Sequence, residues 1–169
     1  MKRLFCLVSL CTAFQVLAVD VPNVTKAHLV EFGIYLTSVE ATAPAPGTST
    51  GELSLLSNPR LLRSTTTIPA ITKSSFGIRY QVEGIPAGTV IEVRDVVITP
   101  GLKDPDSHDP IQYREERRDF ITVGQATYTG YTFDKSWEAV PGKWTVEVWH
   151  NNTRLVTKEF NVVPMKLML

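Results

Sequence analysis

Apolar and polar residues alternate along much of this chain. The alternation is clearest over residues 28–37, 75–82 and 143–150, and a period of two predicts strands with one buried face. Residues 89–99 are mostly β-branched, which is typical of a central strand. Turn residues separate these segments, and none has the period of a long amphipathic helix. The pattern therefore predicts an all-β fold, namely an immunoglobulin-like antiparallel β-sandwich of about seven or eight strands.

Three segments interrupt the alternation. Residues 43–51 read APAPGTSTG, and their prolines and glycines predict a loop or crossover at which the chain leaves the sheet. Residues 52–72 are rich in leucine and are compatible with either a short helix or a strand. Residues 100–110 read PGLKDPDSHDP, a polar, proline-rich composition that predicts a loop.

All three tryptophans of the chain lie within the segment 137–152, WEAVPGKWTVEVWHNN. Trp137 is expected to pack at the corner that Pro141 and Gly142 complete. Strand alternation divides the side chains that follow between two faces. The inward set is Trp144, Val146 and Val148, and the outward set is Thr145, Glu147 and Trp149.

A hairpin is predicted after this strand, because asparagine tolerates the positive φ that both central positions of a tight turn require. A two-residue turn at Asn151-Asn152 sets Trp149 opposite Arg154. The apolar residues later in the returning strand do not keep the phase that this register implies. We therefore expect a bulge near Thr157 or Lys158, or a longer turn.

The first 18 residues have the pattern of a secretory signal peptide. Lys2 and Arg3 precede an apolar run that ends near Ala18, and the run is shorter than the roughly 20 residues that a membrane-spanning helix needs. We expect cleavage after Ala18, a periplasmic or secreted protein, and no stable membrane span afterwards. The expected division is a signal peptide at 1–18, a flexible lead-in at 19–27, the sandwich domain at 28–164 and a tail at 165–169.

Composition narrows the classes of partner. Cys6 and Cys11 both lie in the predicted signal peptide, so the mature chain has no thiol for a disulfide, which fits a bacterial envelope protein better than an animal extracellular domain. Cleavage leaves 15 basic and 17 acidic side chains. A nearly neutral surface gives no reason to expect nucleic acid as a partner, and we expect no cofactor.

Trp149 is the main candidate for a ligand or partner surface. An outward tryptophan on a strand can stack on a sugar ring or fill a pocket in a partner, and Arg154 and Tyr131 are expected to share its surface. The competing interpretation is that the ring lies flat beneath the Arg154 side chain as a packed cluster. A sugar-binding face presents several coplanar rings, and only Tyr128 or Tyr131 is available to join Trp149.

The loop at 100–110 is a candidate for metal or acid–base chemistry. Asp104, Asp106 and Asp109 resemble an oxygen-ligand loop for calcium, although prolines stiffen the segment and the glycine of such loops is absent. We therefore favour a solvated loop. A hydrolase that uses His108 with Asp104 or Asp109 is a weaker alternative, because no spacing of a known hydrolase motif accompanies them.

Residues 111–123, IQYREERRDFITV, carry a run of arginines and carboxylates between apolar ends. Alternation gives each face both signs of charge: Arg114, Glu116 and Arg118 on one side, and Glu115, Arg117 and Asp119 on the other. We expect a solvated edge strand, whose charges discourage pairing with other chains, rather than a patch for an acidic ligand.

The last third of the chain contains a series of motifs: Gly-Tyr-x-Phe-Asp, Trp-Glu, Pro-Gly-x-Trp, a strand ending in an aromatic residue, and a closing Phe-x-Val. Here these residues are Gly130, Tyr131, Phe133, Asp134, Trp137, Glu138, Pro141, Gly142, Trp144, Trp149, Phe160 and Val162. Upstream, Ile68-Pro69-Ala70 and Phe76-Gly77-Ile78-Arg79 fit the same pattern. The chain thus resembles the bacterial domain-of-unknown-function family 3859 over roughly residues 30–163. The resemblance implies a compact β-domain and a bacterial source, and it supplies no catalytic or binding residues.

The sequence as a whole predicts a non-enzymatic exported protein that acts through contacts with another protein of the bacterial envelope. The alternative is a carbohydrate- or small-molecule-binding module that uses Trp149, and a hydrolase is the weaker third interpretation.

Overall fold

The computed structural model describes residues 23–44 and 51–165. Residues 1–22, which include the predicted signal peptide, residues 45–50 and the last four residues lie outside the described part. Nine strands and one 3-10 turn at Ser136–Glu138 make up the regular structure of these described residues. The strands are β1 (Asn23–Pro44), β2 (Glu52–Arg63), β3 (Thr67–Pro69), β4 (Ser75–Ile85), β5 (Val90–Leu102), β6 (Gln112–Thr122), β7 (Ala126–Thr132), β8 (Gly142–His150) and β9 (Thr153–Val163). Within the described residues, no helix has the length and apolar character needed to span a membrane.

The strands form two sheets that pack face to face. One sheet has four strands in the order β2-β1-β4-β7, and the other has five in the order β3-β9-β8-β5-β6. The short β3 runs parallel to β9, and the other pairs are antiparallel. The fold is thus the predicted immunoglobulin-like sandwich, with β6 and β7 as neighbouring edges of different sheets.

The core between the sheets is strongly aromatic. Trp144 is fully buried, its ring lies 5.7 Å from Phe76 and 5.4 Å from Phe133 between centroids, and its indole N–H donates to the Val140 carbonyl at 2.9 Å. Burial of the donor is therefore compensated. The inward assignment of Trp144 and its β8 neighbours is confirmed, and Trp137 packs against this cluster from the 3-10 turn.

Several element boundaries differ from the expectations. β1 begins at Asn23, so residues 23–27 are part of the sheet rather than a flexible lead-in, and β1 continues to Pro44 into the predicted loop. For residues 52–72 the sequence allowed either a short helix or a strand, and the structure has a strand over Glu52–Arg63. Beyond Tyr35, β1 has lost its β4 neighbour and pairs only with β2. Leu36, which alternation suggests is buried, is therefore 51% exposed.

The β8–β9 hairpin has its two-residue turn at the predicted position, Asn151-Asn152, but its bulge lies elsewhere. Of the two central residues, Asn151 has the expected positive φ of 52° and Asn152 does not; Trp149 is opposite Arg154. The next pair joins Val148 to Val156, which makes Leu155 the extra residue. The prediction of a bulge near residue 157 is wrong because the phase changes directly after the turn, and that change brings the later apolar residues of β9 to the core.

Candidate functional site

Trp149 lies on the outer face of the five-stranded sheet, in a network of charged side chains. Its indole N–H donates to Glu147 Oε2 at 2.8 Å, and Glu147 Oε1 accepts from Arg154 at 2.9 Å. The guanidinium groups of Arg94 and Arg154 each lie over the ring, 5.9 Å from its centroid. We call Arg94, Glu147, Trp149 and Arg154 the Trp149 cluster. This geometry supports the interpretation of Trp149 as part of a packed cluster, because arginines from both neighbouring strands lie over its ring.

The network continues onto the edge strand β6. Arg94 donates to Glu116 Oε1 at 2.9 Å, and Arg114 donates twice to Glu116 Oε2, at 3.1 and 3.0 Å. Partial burial opposes ionisation of Glu116, but the hydrogen bonds from Arg114 and Arg94 outweigh it and lower the pKa of this carboxyl. Val96 lies on the same face between Glu116 and Glu147 and is fully buried. The long charged side chains therefore cover the outer face as a layer of their own.

Tyr131 is not part of this surface, contrary to expectation. It belongs to β7 in the other sheet, and its ring packs 5.0 Å from that of Trp144 in the core. Tyr128 is also on β7 and packs 4.6 Å from Tyr35. The expectation that Tyr131 shares the surface of Trp149 is wrong, whereas Arg154 does share it. The three rings named for a sugar platform, Trp149, Tyr128 and Tyr131, therefore do not share one surface.

A buried polar group joins the two sheets at their β6 and β7 edges. Arg117 Nε and Nη2 donate to Asp95 Oδ2 at 3.1 and 3.0 Å. The Thr129 hydroxyl donates to the same oxygen at 2.8 Å and accepts from Arg117 at 3.1 Å. We call Asp95, Arg117 and Thr129 the interlayer cluster. Since Thr129 comes from β7 and the ion pair from β5 and β6, the cluster connects the layers by hydrogen bonds as well as by apolar packing.

Burial governs the ionisation of this group. Desolvation raises the pKa of Asp95, although Arg117 and Thr129 act in the opposite direction. Desolvation, followed by the negative charge of Asp95, also raises the pKa of Tyr80. Asp95 Oδ1 and the Tyr80 hydroxyl are buried, and neither has a hydrogen-bond partner among the described residues. Both groups are therefore costly features of the interior.

β6 is an edge strand, as predicted, but part of its inner face is buried. Glu115 is 6% exposed, and Arg117 points between the sheets to Asp95. The expectation of a solvated strand is thus wrong for its inner face, because β7 of the opposite sheet covers it. Sequence reasoning also missed Asp95 and Thr129. A signal for Asp95 existed, since it is the one charged residue in the inward alternation of Ile91, Val93 and Val97.

The acidic loop turns its carboxylates to its own backbone and hydroxyl groups. The Asp106 N–H donates to Asp104 Oδ1 at 2.9 Å, and the Ser107 hydroxyl donates to Asp109 Oδ2 at 2.7 Å. These are turn-stabilising bonds. Within residues 23–44 and 51–165, no group of three or more His, Cys, Asp or Glu side chains is arranged to hold a metal ion. His108 is exposed in the same loop.

Two exposed apolar side chains lie at one end of the outer face. Phe120 is 68% exposed and Val90 is 59% exposed. Phe120 is opposite Glu92 and Val90 is opposite Thr122, so the two are diagonal neighbours across β5 and β6. Arg118 precedes Phe120 on the same face and makes a long ion pair with Glu92, at 3.6 Å. Strand alternation does not identify these two residues, because it does not show which outward side chains remain exposed.

Comparison with known proteins gives a family and a fold. The model of a family described as "Domain of unknown function (DUF3859)" matches residues 23–162. No curated protein matches the chain.

Among solved structures, an immunoglobulin-like protein from Pseudomonas aeruginosa is similar, with a TM-score of 0.57 and 21% identity over 82% of this chain and 98% of that one. At this identity the likeness shows the fold alone. A β-glucosidase from Erythrobacter marinus has a TM-score of 0.35 and 10% identity, over 59% of this chain and 14% of the enzyme. That score is too low to carry an argument.

Proposed function

We propose that this chain, which belongs to the family described as a domain of unknown function (DUF3859), is an exported, non-enzymatic β-sandwich that binds another protein of the bacterial envelope. The outer face of the five-stranded sheet carries the proposal. On it, an exposed phenylalanine and valine adjoin the row formed by Arg118, Arg94, Trp149 and Arg154.

The composition of this face suits a protein partner. Aromatic residues and arginine dominate the energetics of protein interfaces, and the apolar pair supplies surface that gains from being covered. Phe120 is the anchor in this proposal because it combines an aromatic ring with the largest exposure among the large apolar residues that the structure describes. The arginine–glutamate network beside it holds its own side chains in place, so the face is preorganised for docking.

The Trp149 cluster limits the alternative of sugar binding. A sugar ring stacks on an open aromatic face, whereas Arg94 and Arg154 lie over the ring of Trp149. In the proposal, this cluster lies beside Phe120 on the protein-binding face and holds its own side chains in place.

Export is supported by the pattern of residues 1–18. The mature protein is therefore expected to begin at Val19. Fractionation of the source cells, followed by mass measurement of the intact protein, tests this point. A periplasmic or secreted chain beginning at Val19 supports export, and an uncleaved cytoplasmic chain contradicts it.

The contact surface is tested by affinity capture from envelope extract with the mature protein as bait. We expect the wild-type protein to retain one partner. The recovered amount of that partner should be at least fivefold lower with Phe120→Ser. Arg118→Glu should also weaken capture, because it reverses a charge next to the anchor.

The matched control is Leu62→Ser, which removes a leucine that is 54% exposed on the four-stranded sheet. It should capture the partner as wild type does. Equal recovery by wild type and Phe120→Ser, or equal loss with Leu62→Ser, contradicts the assignment of the face.

A further inference from the structure

Two polar atoms of the interior are buried without a hydrogen-bond partner among the described residues. They are Asp95 Oδ1 and the hydroxyl oxygen of Tyr80. Tyr80 is fully buried, and Asp95 is 3% exposed. Buried polar groups in folded proteins are almost always hydrogen-bonded, either to the protein or to an ordered water molecule. Each of these atoms is therefore expected to bind a group that is not a described side chain or backbone atom.

The strand register places Tyr80 near the interlayer cluster. Ile78, two residues before Tyr80 on β4, is opposite Thr129 on β7, so Tyr80 and Thr129 are diagonal neighbours on the inner face of their sheet. The Thr129 hydroxyl lies 2.8 Å from Asp95 Oδ2 of the opposite sheet. Desolvation, and after it the charge of Asp95, raises the pKa of Tyr80, and the effect of a charge weakens with distance. Tyr80 and Asp95 thus lie on opposite walls of the same part of the core.

The two unpartnered atoms have complementary hydrogen-bonding capacity. The Tyr80 hydroxyl can donate one hydrogen bond, whereas a carboxylate oxygen such as Asp95 Oδ1 can only accept. The hydrogen bonds from Arg117 and Thr129 are made to Asp95 Oδ2, and the Tyr80 hydroxyl makes no direct hydrogen bond to Oδ1. A water molecule can accept from the hydroxyl and donate to the carboxylate, and polar partners of this kind are what buried water needs. A cation is less suitable, because the Arg117 guanidinium, 3.0 Å from Oδ2, already balances the charge of Asp95.

We propose that one water molecule is a structural ligand of this core and bridges Tyr80 to Asp95, donating a hydrogen bond to Asp95 Oδ1 and accepting one from the Tyr80 hydroxyl. The water extends the interlayer cluster from the β6 and β7 edges to β4, a central strand of the four-stranded sheet. It offsets the desolvation of both atoms. The site does not require the proposed partner, and its failure would leave the contact face at Phe120 untouched.

The bound water is expected to exchange slowly with the solvent. Tyr80, Asp95 and Thr129 are at most 3% exposed, and the Arg117 side chain, at 26%, is the most exposed part of the cluster. We therefore expect the water to leave through the β6 and β7 edges, when these open locally. Its residence time should exceed the tumbling time of the protein, which makes the water detectable in solution.

The first test is a crystal structure of the mature wild-type protein at a resolution that shows ordered water. We expect one water within hydrogen-bonding distance, about 2.5–3.0 Å, of both Asp95 Oδ1 and Tyr80 Oη. A direct hydrogen bond between the two side chains, or another protein group bound to Oδ1, overturns the proposal. An interior without a water shared by the two atoms also overturns it.

The second test counts the long-lived water molecules in solution by ¹⁷O magnetic relaxation dispersion. Tyr80→Phe keeps the ring in the core but removes the hydroxyl, so it should have one long-lived water fewer than wild type. The matched control is Tyr113→Phe, because Tyr113 is 57% exposed, and its count should equal that of wild type. An unchanged count in Tyr80→Phe, with a native circular dichroism spectrum, overturns the proposal. If Tyr80→Phe does not fold, the wild-type crystal structure decides.

Discussion

The five-stranded sheet carries arginine–carboxylate contacts on both of its faces, and adjacent residues of β5 and β6 supply both. On the outer face, Arg94 donates to Glu116 at 2.9 Å, with side chains 33% and 38% exposed. On the inner face, Arg117 pairs with Asp95 at 3.0 Å, and the Asp95 side chain is 3% exposed. The two N–O distances are similar, but the two carboxylates differ strongly in their exposure to water. Water screens the outer pair and can replace either partner, whereas the inner carboxylate has lost its hydration and depends on its protein donors.

Strand alternation produces this difference, and the same holds for the two tryptophans of β8. Trp144 is buried among core rings and Trp149 is held by charged groups on the outer surface, although both donate their indole N–H to an acceptor. The two ion pairs use adjacent residues, and the two tryptophans are five positions apart. We therefore expect contacts of the same chemical type to contribute different amounts to the free energy of unfolding. The face on which each hydrogen bond or ion pair lies, rather than the number of such contacts, is expected to determine their contribution to stability.

The largest effect is expected from Trp144→Ala. It empties the centre of the aromatic core and should lower the free energy of unfolding by about 3–5 kcal/mol, because the surrounding rings cannot close the cavity. Urea unfolding followed by far-UV circular dichroism measures the loss. Trp149→Ala is the comparison variant and should cost less than half as much. A loss below about 1 kcal/mol for Trp144→Ala would contradict its role in the core.

Alternation and turn residues were enough to predict the fold and the faces of β8. The class of fold, the inward Trp144, the Asn151-Asn152 turn and the Trp149–Arg154 pair all follow from local rules. The position of the bulge does not, because Leu155 and Val156 are both apolar and either one suits the core. A single inserted residue changes the phase of a strand without a local signal.

The polar sites were less predictable, because they depend on contacts between sheets. Asp95 and Thr129 are 34 positions apart, and only the packing of β7 over β5 brings them together. The same packing explains why Tyr131 lies in the interior and not on the surface of Trp149, where it was expected. A charged residue at an inward position, such as Asp95, is the sign that a buried partner exists, but it does not identify that partner.

Asp95→Ala tests the inner pair and should have the second largest effect. It leaves Arg117 and Thr129 without their shared acceptor, and breaking a buried pair in this way costs about 3 kcal/mol or more. Chemical denaturation near neutral pH measures the change. Asp95→Asn, which keeps an acceptor oxygen, should recover part of the loss. If Asp95→Ala costs no more than Glu116→Ala, the contrast between the two faces is wrong.

Thr129→Val isolates the link between the sheets. The substitution keeps the shape of the side chain but removes the donor to Asp95 and the acceptor for Arg117, so a loss of about 1–3 kcal/mol is expected. The exposed Thr157→Val on β9 is the matched control and should change stability little. A double-mutant cycle with Asp95→Ala measures the coupling, which should be clearly non-zero. Additive losses would show that the hydroxyl does not act through Asp95.

Glu116→Ala removes the carboxylate at the centre of the outer network and should cost only about 0.2–1 kcal/mol. The loss should shrink further at about 1 M salt, because solvent-exposed charges are screened there. Denaturant midpoints at low and high salt give both values. The Asp95→Ala loss is expected to change much less with salt, since the inner pair is shielded from ions. A salt-independent loss for Glu116→Ala would place this pair in the same class as the buried one.

Phe120→Ser should have the smallest effect on stability, within about 0.5 kcal/mol, because a side chain that is 68% exposed contributes little packing. It is nevertheless the variant expected to reduce capture of the envelope partner most. If Phe120 contributes to binding but not to folding, its apolar surface is covered only in the complex. Thermal unfolding and affinity capture of the same preparation separate the two properties. If Phe120→Ser destabilises the fold by more than about 1 kcal/mol, its ring is part of the packing of the sheet, and the binding face must be sought elsewhere.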